Sequence, residues 1–145
     1  MAHTDITTQP ATAALAEHSR FFQRLHRRYA ELLDLLPPGP PTHATMRPTL
    51  AALQDKGYEL GAALRILRQL VMERLIHLDC DEQADLATVT RGVTELAELA
   101  LDVACQAART ELDNRHGAPQ GADGQPVQFW VIGMGKLGAR ELNVS

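Results

Sequence analysis

The sequence predicts a mainly α-helical fold, and three observations point there. Ala and Leu each occur 21 times among 145 residues, aromatics make up only 4% and β-branched residues are sparse, a composition that favours helix. Apolar residues recur at steps of three and four over most of the chain, the period of an amphipathic helix. The one β-like run comes after residue 126. The expected architecture is a three-helix-type bundle, followed by one strand and a Gly-rich loop.

The elements follow in order. Residues 1–10 are a polar lead-in expected to be mobile, and the helical region is expected over 11–116. In 11–36, Leu15, Phe22, Leu25, Tyr29, Leu32 and Leu36 form one helical face. Arg20, Arg24, Arg27 and Arg28 lie on its polar sides. Glu17, Glu31 and Asp34 flank them, so a solvated face fits better than an anion site. Pro37, Pro38, Pro40, Pro41 and Pro48 end this helix and stiffen a connector running to about Arg47. A short helix is expected over 49–55, broken by Gly57.

A second long helix is expected over 59–78. Leu60, Leu64, Leu67, Val71, Leu75 and Leu78 give it a single apolar stripe. At about 100° per residue, Arg65 and Arg74 point in opposite directions, so Arg65, Arg68 and Arg74 share no face. His77, Asp79, Cys80 and Asp81 offer metal-ligand types, but contiguous side chains at a helix end do not converge. Helix termination, with capping by Asp79 or Asp81, is the expected role. A third helix is expected over 85–116, with Leu86, Val89, Val93, Leu96, Ala100, Val103 and Ala107 as its seam. Its Ala-rich second half and irregular flanking charges favour packing within a bundle over a coiled-coil dimer. Gly92 costs roughly 1 kcal/mol inside a helix and marks where a local break could fall.

Residues 117–126 form a Gly- and Pro-containing loop, and 127–132 read as a buried strand of Val, Phe, Trp, Val and Ile around one Gln. A lone strand has nothing to bond to, so its partners are expected beyond residue 145.

Charge and composition exclude several classes. The net charge of −4 with a pI near 5.8 argues against a dedicated nucleic-acid binder. No apolar run approaches the roughly 20 residues that cross a bilayer, and no secretory signal is visible. A cytoplasmic protein with Cys80 and Cys105 buried and reduced is expected.

After the expected strand comes Gly133-Met134-Gly135-Lys136-Leu137-Gly138-Ala139-Arg140-Glu141-Leu142-Asn143-Val144-Ser145. Its glycines satisfy Gly-x-Gly-x-x-Gly, a turn that can bring backbone N–H groups against phosphate oxygens. A dinucleotide unit also needs a second strand and an acid about 20 residues on, and the chain ends seven residues after Gly138. An incomplete dinucleotide-binding unit is one alternative reading. Another is a helical protein-interaction module whose strand adds to a partner's sheet.

The whole thirteen-residue string is more specific than its glycines. It resembles the start of the nucleotidyltransferase core of the glutamate–ammonia ligase adenylyltransferase family, bifunctional enzymes that add AMP to glutamine synthetase and remove it. Met134 and Asn143-Val144-Ser145 resemble the N-terminal, adenylyl-removing core of the two that the family carries. The upstream helices, with Leu64-Arg65-Ile66-Leu67-Arg68 and Asp79, agree more loosely.

The resemblance implies that strand and loop begin an α/β nucleotidyltransferase core spanning 127–145. It implies nucleotide- or phosphate-binding roles for Gly133, Gly135, Lys136, Gly138 and Ser145, with Ser145 at the entry to a metal-binding strand. The wider superfamily has Gly-Ser where Gly135-Lys136 stands. The family's magnesium-binding Asp-x-Asp is expected just beyond Ser145, leaving no catalytic or metal-ligating residue within the chain. The implied partners are glutamine synthetase, ATP, ADP, phosphate and a PII-type signalling protein, with no nucleic acid or membrane. The implied role is regulation of nitrogen assimilation. On this reading the chain is an N-terminal fragment, inactive alone.

Overall fold

The computed structural model describes residues 15–144. The lead-in over 1–10, the first residues of the first expected helix and Ser145 lie outside the described residues. The order is a 3₁₀ turn Leu15–His18, α1 Arg20–Arg28, a second 3₁₀ turn Ala30–Leu35, α2 His43–Asp55, α3 Leu60–Cys80, α4 Leu86–His116 and the single turn α5 Gly135–Gly138. The mainly helical class is therefore correct.

The bundle itself is α2, α3 and α4, with α3 and α4 in the most extensive contact and α1 laid against α3. The leucine stripe of α3 becomes its centre: Leu67, Val71 and Leu75 are fully buried, beside Leu53 of α2 and Leu99 of α4. Gly92 does not break α4. It is buried, and a Cβ there would lie 2.9 Å from Leu75 Cδ2. The missing side chain lets α3 and α4 approach, which outweighs the local cost of glycine in a helix.

Three helix boundaries differ from the sequence expectation. The first helix is interrupted twice. Ser19 starts α1 by accepting the Phe22 N–H on Oγ at 3.3 Å, and Tyr29 closes it by donating to the Leu25 carbonyl. The 3₁₀ turn that follows lays Leu32, Leu33 and Leu35 against the core, and Leu36, extended just beyond it, is buried. The helix α2 begins six residues earlier than expected, at His43, because Thr45 Oγ1 accepts the Thr42 N–H at 2.9 Å and satisfies an orphan donor. Pro48 sits within this helix; both it and Ala44, whose carbonyl loses a helical partner, face solvent. The third difference is at the end of α3, which runs to Cys80.

The Asp81 carboxylate just beyond α3 holds the first 3₁₀ turn, taking the Ala16 N–H at 3.0 Å while pairing with His77 Nδ1 at 2.8 Å. The Ala16 amide is the main cause holding its pKa below the usual aspartate value; burial opposes it, and the His77 ring adds to the lowering. Asp85 caps α4 through the Thr88 N–H at 2.7 Å. The Thr88 hydrogen bonds lower its pKa too. Both cysteines are free, but half-buried rather than buried. Burial, then the Asp79 and Asp81 charges, push the Cys80 thiol up, which disfavours thiolate.

The strand expected over 127–132 is not formed. From Gln128 to Gly133 the backbone makes no hydrogen bond among the described residues. Phe129, Trp130 and Ile132 are 69%, 75% and 82% exposed. A strand gains its stability from a neighbour, and the described residues contain no second strand to supply one. The nucleotidyltransferase α/β core is accordingly absent from the described residues.

Candidate functional site

The candidate site is built along α4, where the chain turns back after its last long helix. The Gly117 N–H closes α4 on the Asp113 carbonyl at 2.8 Å, and the chain then folds on itself through an isolated pairing of Gln120 with Pro126. Arg109 pins the returning chain: its Nε pairs with Asp113 at 2.8 Å and its Nη2 donates to the Val127 carbonyl at 3.0 Å. The extended segment then runs to the glycine turn.

Within that turn, Gly135 has φ +56, a left-handed conformation that a Cβ disfavours. Gly138 is required for another reason: a Cβ on it would meet the Gly133 carbonyl oxygen at 2.6 Å. Gly133 faces Leu137 at close range. Lys136 is exposed and makes no ion pair among the described residues. The structure thus brings Gly133, Gly135, Lys136 and Gly138 into one turn, while Ser145 lies outside the described residues.

The sequence reading missed what holds this turn. Arg140 Nη2 donates to Glu98 Oε2 on α4 at 3.0 Å. The same oxygen lies 3.4 Å from His43 Nε2, and Glu95 Oε2 accepts the His43 N–H at 2.7 Å. One turn further along α4, Asp102 pairs with Arg47 at 2.6 Å. Leu142 packs on the core. Between turn and helix is an open cleft of about 680 Å³, lined by Glu98, Leu101, Asp102 and Cys105 of α4 and by Phe129, Trp130, Leu137 and Arg140. No sequence spacing announces a pair 42 residues apart, whereas the glycines were visible as a motif.

The other basic residues are dispersed. Arg65 and Arg68 line a groove between α3 and α4 that also receives Asn143 and Val144. Arg74 lines a different groove of about 640 Å³, beside α1, and reaches the Leu36 carbonyl at 3.4 Å. In that groove His26 pairs with the buried Glu73 at 3.0 Å. Arg20, Arg24, Arg27 and Arg28 are all exposed, as a solvated face requires.

The described residues do not fit a magnesium site. Among the described residues no three His, Cys, Asp or Glu side chains are placed to share a metal ion. Of the carboxylates near the turn, Glu98 and Asp102, which line the cleft, are engaged by Arg140, His43 and Arg47, and Glu141 stands alone at the end of the turn. Among the described residues no helix is long and apolar enough to cross a membrane.

Fold and site together define a class: a helical bundle that carries a lysine-bearing glycine turn on the acidic face of its last long helix. The chain belongs to the glutamate–ammonia ligase adenylyltransferase family, whose model matches residues 8–145. Among curated relatives, a protein of Thioalkalivibrio sulfidiphilus is 40% identical over 102 residues, covering 70% of this chain and 10% of the relative. One of Burkholderia mallei is 37% identical over 122 residues, covering 80% and 13%. One of Ralstonia nicotianae is 36% identical over 137 residues, covering 88% and 14%. Each of the three is named a bifunctional glutamine synthetase adenylyltransferase/adenylyl-removing enzyme. The chain thus spans 10% to 14% of the length of these relatives. No solved structure matches it significantly.

Proposed function

We propose that this chain forms the helical entry and the phosphate turn of the adenylyl-removing half of a bifunctional enzyme that controls glutamine synthetase. The observation that carries the reading is a family match that continues through the whole glycine string to residue 145. The reaction is phosphorolysis: an oxygen of inorganic phosphate attacks the phosphorus of tyrosine-bound AMP. The bond to the tyrosine oxygen breaks, the tyrosine leaves protonated, and ADP is released. AMP addition from ATP belongs to the other half. Through this pair of reactions the enzyme regulates nitrogen assimilation in the cytoplasm, under a PII-type signalling protein.

The turn's part in this chemistry is to hold phosphate. An exposed ammonium at Lys136 favours clustered anionic oxygens. The amides of Gly135, Lys136 and Leu137 make no hydrogen bond among the described residues, which leaves them free as donors. Ser145 belongs to the same phosphate set. Magnesium, held by carboxylates outside this chain, would supply charge neutralisation at the transferring adenylyl group. The exposed segment 127–132 becomes the first strand of the α/β core once the rest of the enzyme offers a sheet edge. Its solvent-facing Phe129, Trp130 and Ile132 support that assignment, because an apolar patch of this kind marks an interface.

The test is release of ADP from AMP-modified glutamine synthetase in the presence of phosphate. The enzyme carrying this chain at full length releases it, and Lys136→Ala slows release through a raised KM for phosphate. The 145-residue chain alone releases none. Turnover by the chain alone, or a Lys136→Ala enzyme with unchanged phosphate dependence, contradicts the proposal.

A further inference from the structure

Arg140 stands where glycine is the economical choice. The turn α5 ends in paired backbone bonds, Arg140 N–H to the Leu137 carbonyl at 3.1 Å and Glu141 N–H to the Lys136 carbonyl at 2.8 Å. That pattern places the residue after the cap in the left-handed region and usually recruits glycine there. Arg140 occupies it with φ +60, a conformation that costs any side chain with a Cβ. The side chain that incurs this cost reaches α4 and meets Glu98 Oε2 at 3.0 Å. The same carboxylate contacts His43 of α2, so one residue joins two bundle helices to the turn.

Electrostatics points the same way. Glu98 and Asp102 line the cleft beside the turn, and two free carboxylates there would repel an anion. Arg140 and Arg47 offset them one for one. Leu142, two residues beyond Arg140, is seated against the core, so the turn is anchored at two points on the C-terminal side of its exposed lysine.

We propose that Glu98 is a positioning residue: through its ion pair with Arg140 it clasps the glycine turn to the helical bundle and fixes where Lys136 and the turn amides are presented. The functional half of this statement rests on the phosphate-turn reading above; the clasp itself does not. It also assigns the helical region a task, the placement of the turn.

Three variants of the 145-residue chain test it, read by solvent exchange of the Ala139, Arg140 and Glu141 amides. Glu98→Gln accelerates exchange about two- to fivefold, the scale of a half-exposed ion pair. Arg140→Gly accelerates it by a similar factor, although glycine relieves the backbone. The double variant Glu98→Arg with Arg140→Glu restores exchange to within about twofold of the parent, because the opposite-charge pair is rebuilt with its sign reversed. Unchanged exchange in Glu98→Gln, slower exchange in Arg140→Gly, or a double variant as loose as the singles would each overturn the clasp.

Titration with ADP, followed at the Lys136 and Gly138 amides, addresses function. Glu98→Gln weakens apparent ADP affinity by the same two- to fivefold if Glu98 positions the turn. Tighter binding would show that Glu98 acts only as a repelling charge and overturns the positioning role. Absence of any ADP-induced shift in the parent chain defeats the phosphate-turn reading, while the exchange measurements still decide the clasp.

Discussion

The bundle and the segment that follows it contain the same kinds of apolar side chain and treat them in opposite ways. In the bundle, Leu67, Leu75 and Leu99 are 0% exposed. Beyond α4, Trp130 and Ile132 are 75% and 82% exposed. Hydrophobicity is not what separates them. A helix satisfies its own backbone and needs only a face to bury, and α2, α3 and α4 supply faces to one another. A strand must be given its hydrogen bonds by a neighbour. The described residues hold no such neighbour, so this part of the chain is arranged by three attachments to α4 and the core: Arg109, Arg140 and Leu142.

The contrast is broken most severely from the bundle side. Leu75→Ala removes a fully buried side chain at the contact with Gly92 and should cost about 2–5 kcal/mol, visible as a large drop in the urea midpoint. A smaller loss is expected for Asp85→Ala, which deletes the cap of α4; the same denaturation series measures it.

Acid should loosen the N-terminal edge of the bundle before its centre. The Asp81 pKa is depressed in the folded chain, so its contribution is present above the unfolded aspartate value. That contribution is lost as pH falls through the folded value. An Asp81→Asn chain therefore shows a flatter stability profile on the acid side, with the difference largest near neutrality. Smallest of all is the effect of Trp130→Ser, expected within about 0.5 kcal/mol for a side chain with so little buried. If that substitution cost as much as Leu75→Ala, the two regions would not differ as described.

How much of this was legible depended on whether a feature was local. The stripe from Leu60 to Leu78 announced α3 because its period is written in consecutive residues. The glycines at 133, 135 and 138 announced a turn for the same reason. The start of α2 was hidden by Pro48, which reads as connector although the Thr42–Thr45 cap lies upstream of it. The break at Tyr29 was invisible because the apolar spacing continues across it. Gly92 was read as a weak point, whereas its meaning depends on Leu75, seventeen residues away and facing it across the helix pair. The clasp between Glu98 and Arg140 has no local signature at all. The apolar run over 127–132 was recognised as strand-like, but a strand is a property of a pair.

The most direct test of that last point is amide exchange measured over the whole 145-residue chain as a monomer. Strong protection is expected along the buried length of α3 and the first half of α4, with the amides of Gln128 to Ile132 exchanging close to the unprotected rate. Protection of those five amides comparable to that of α3 would show that the segment finds a partner within this chain, and would contradict the account.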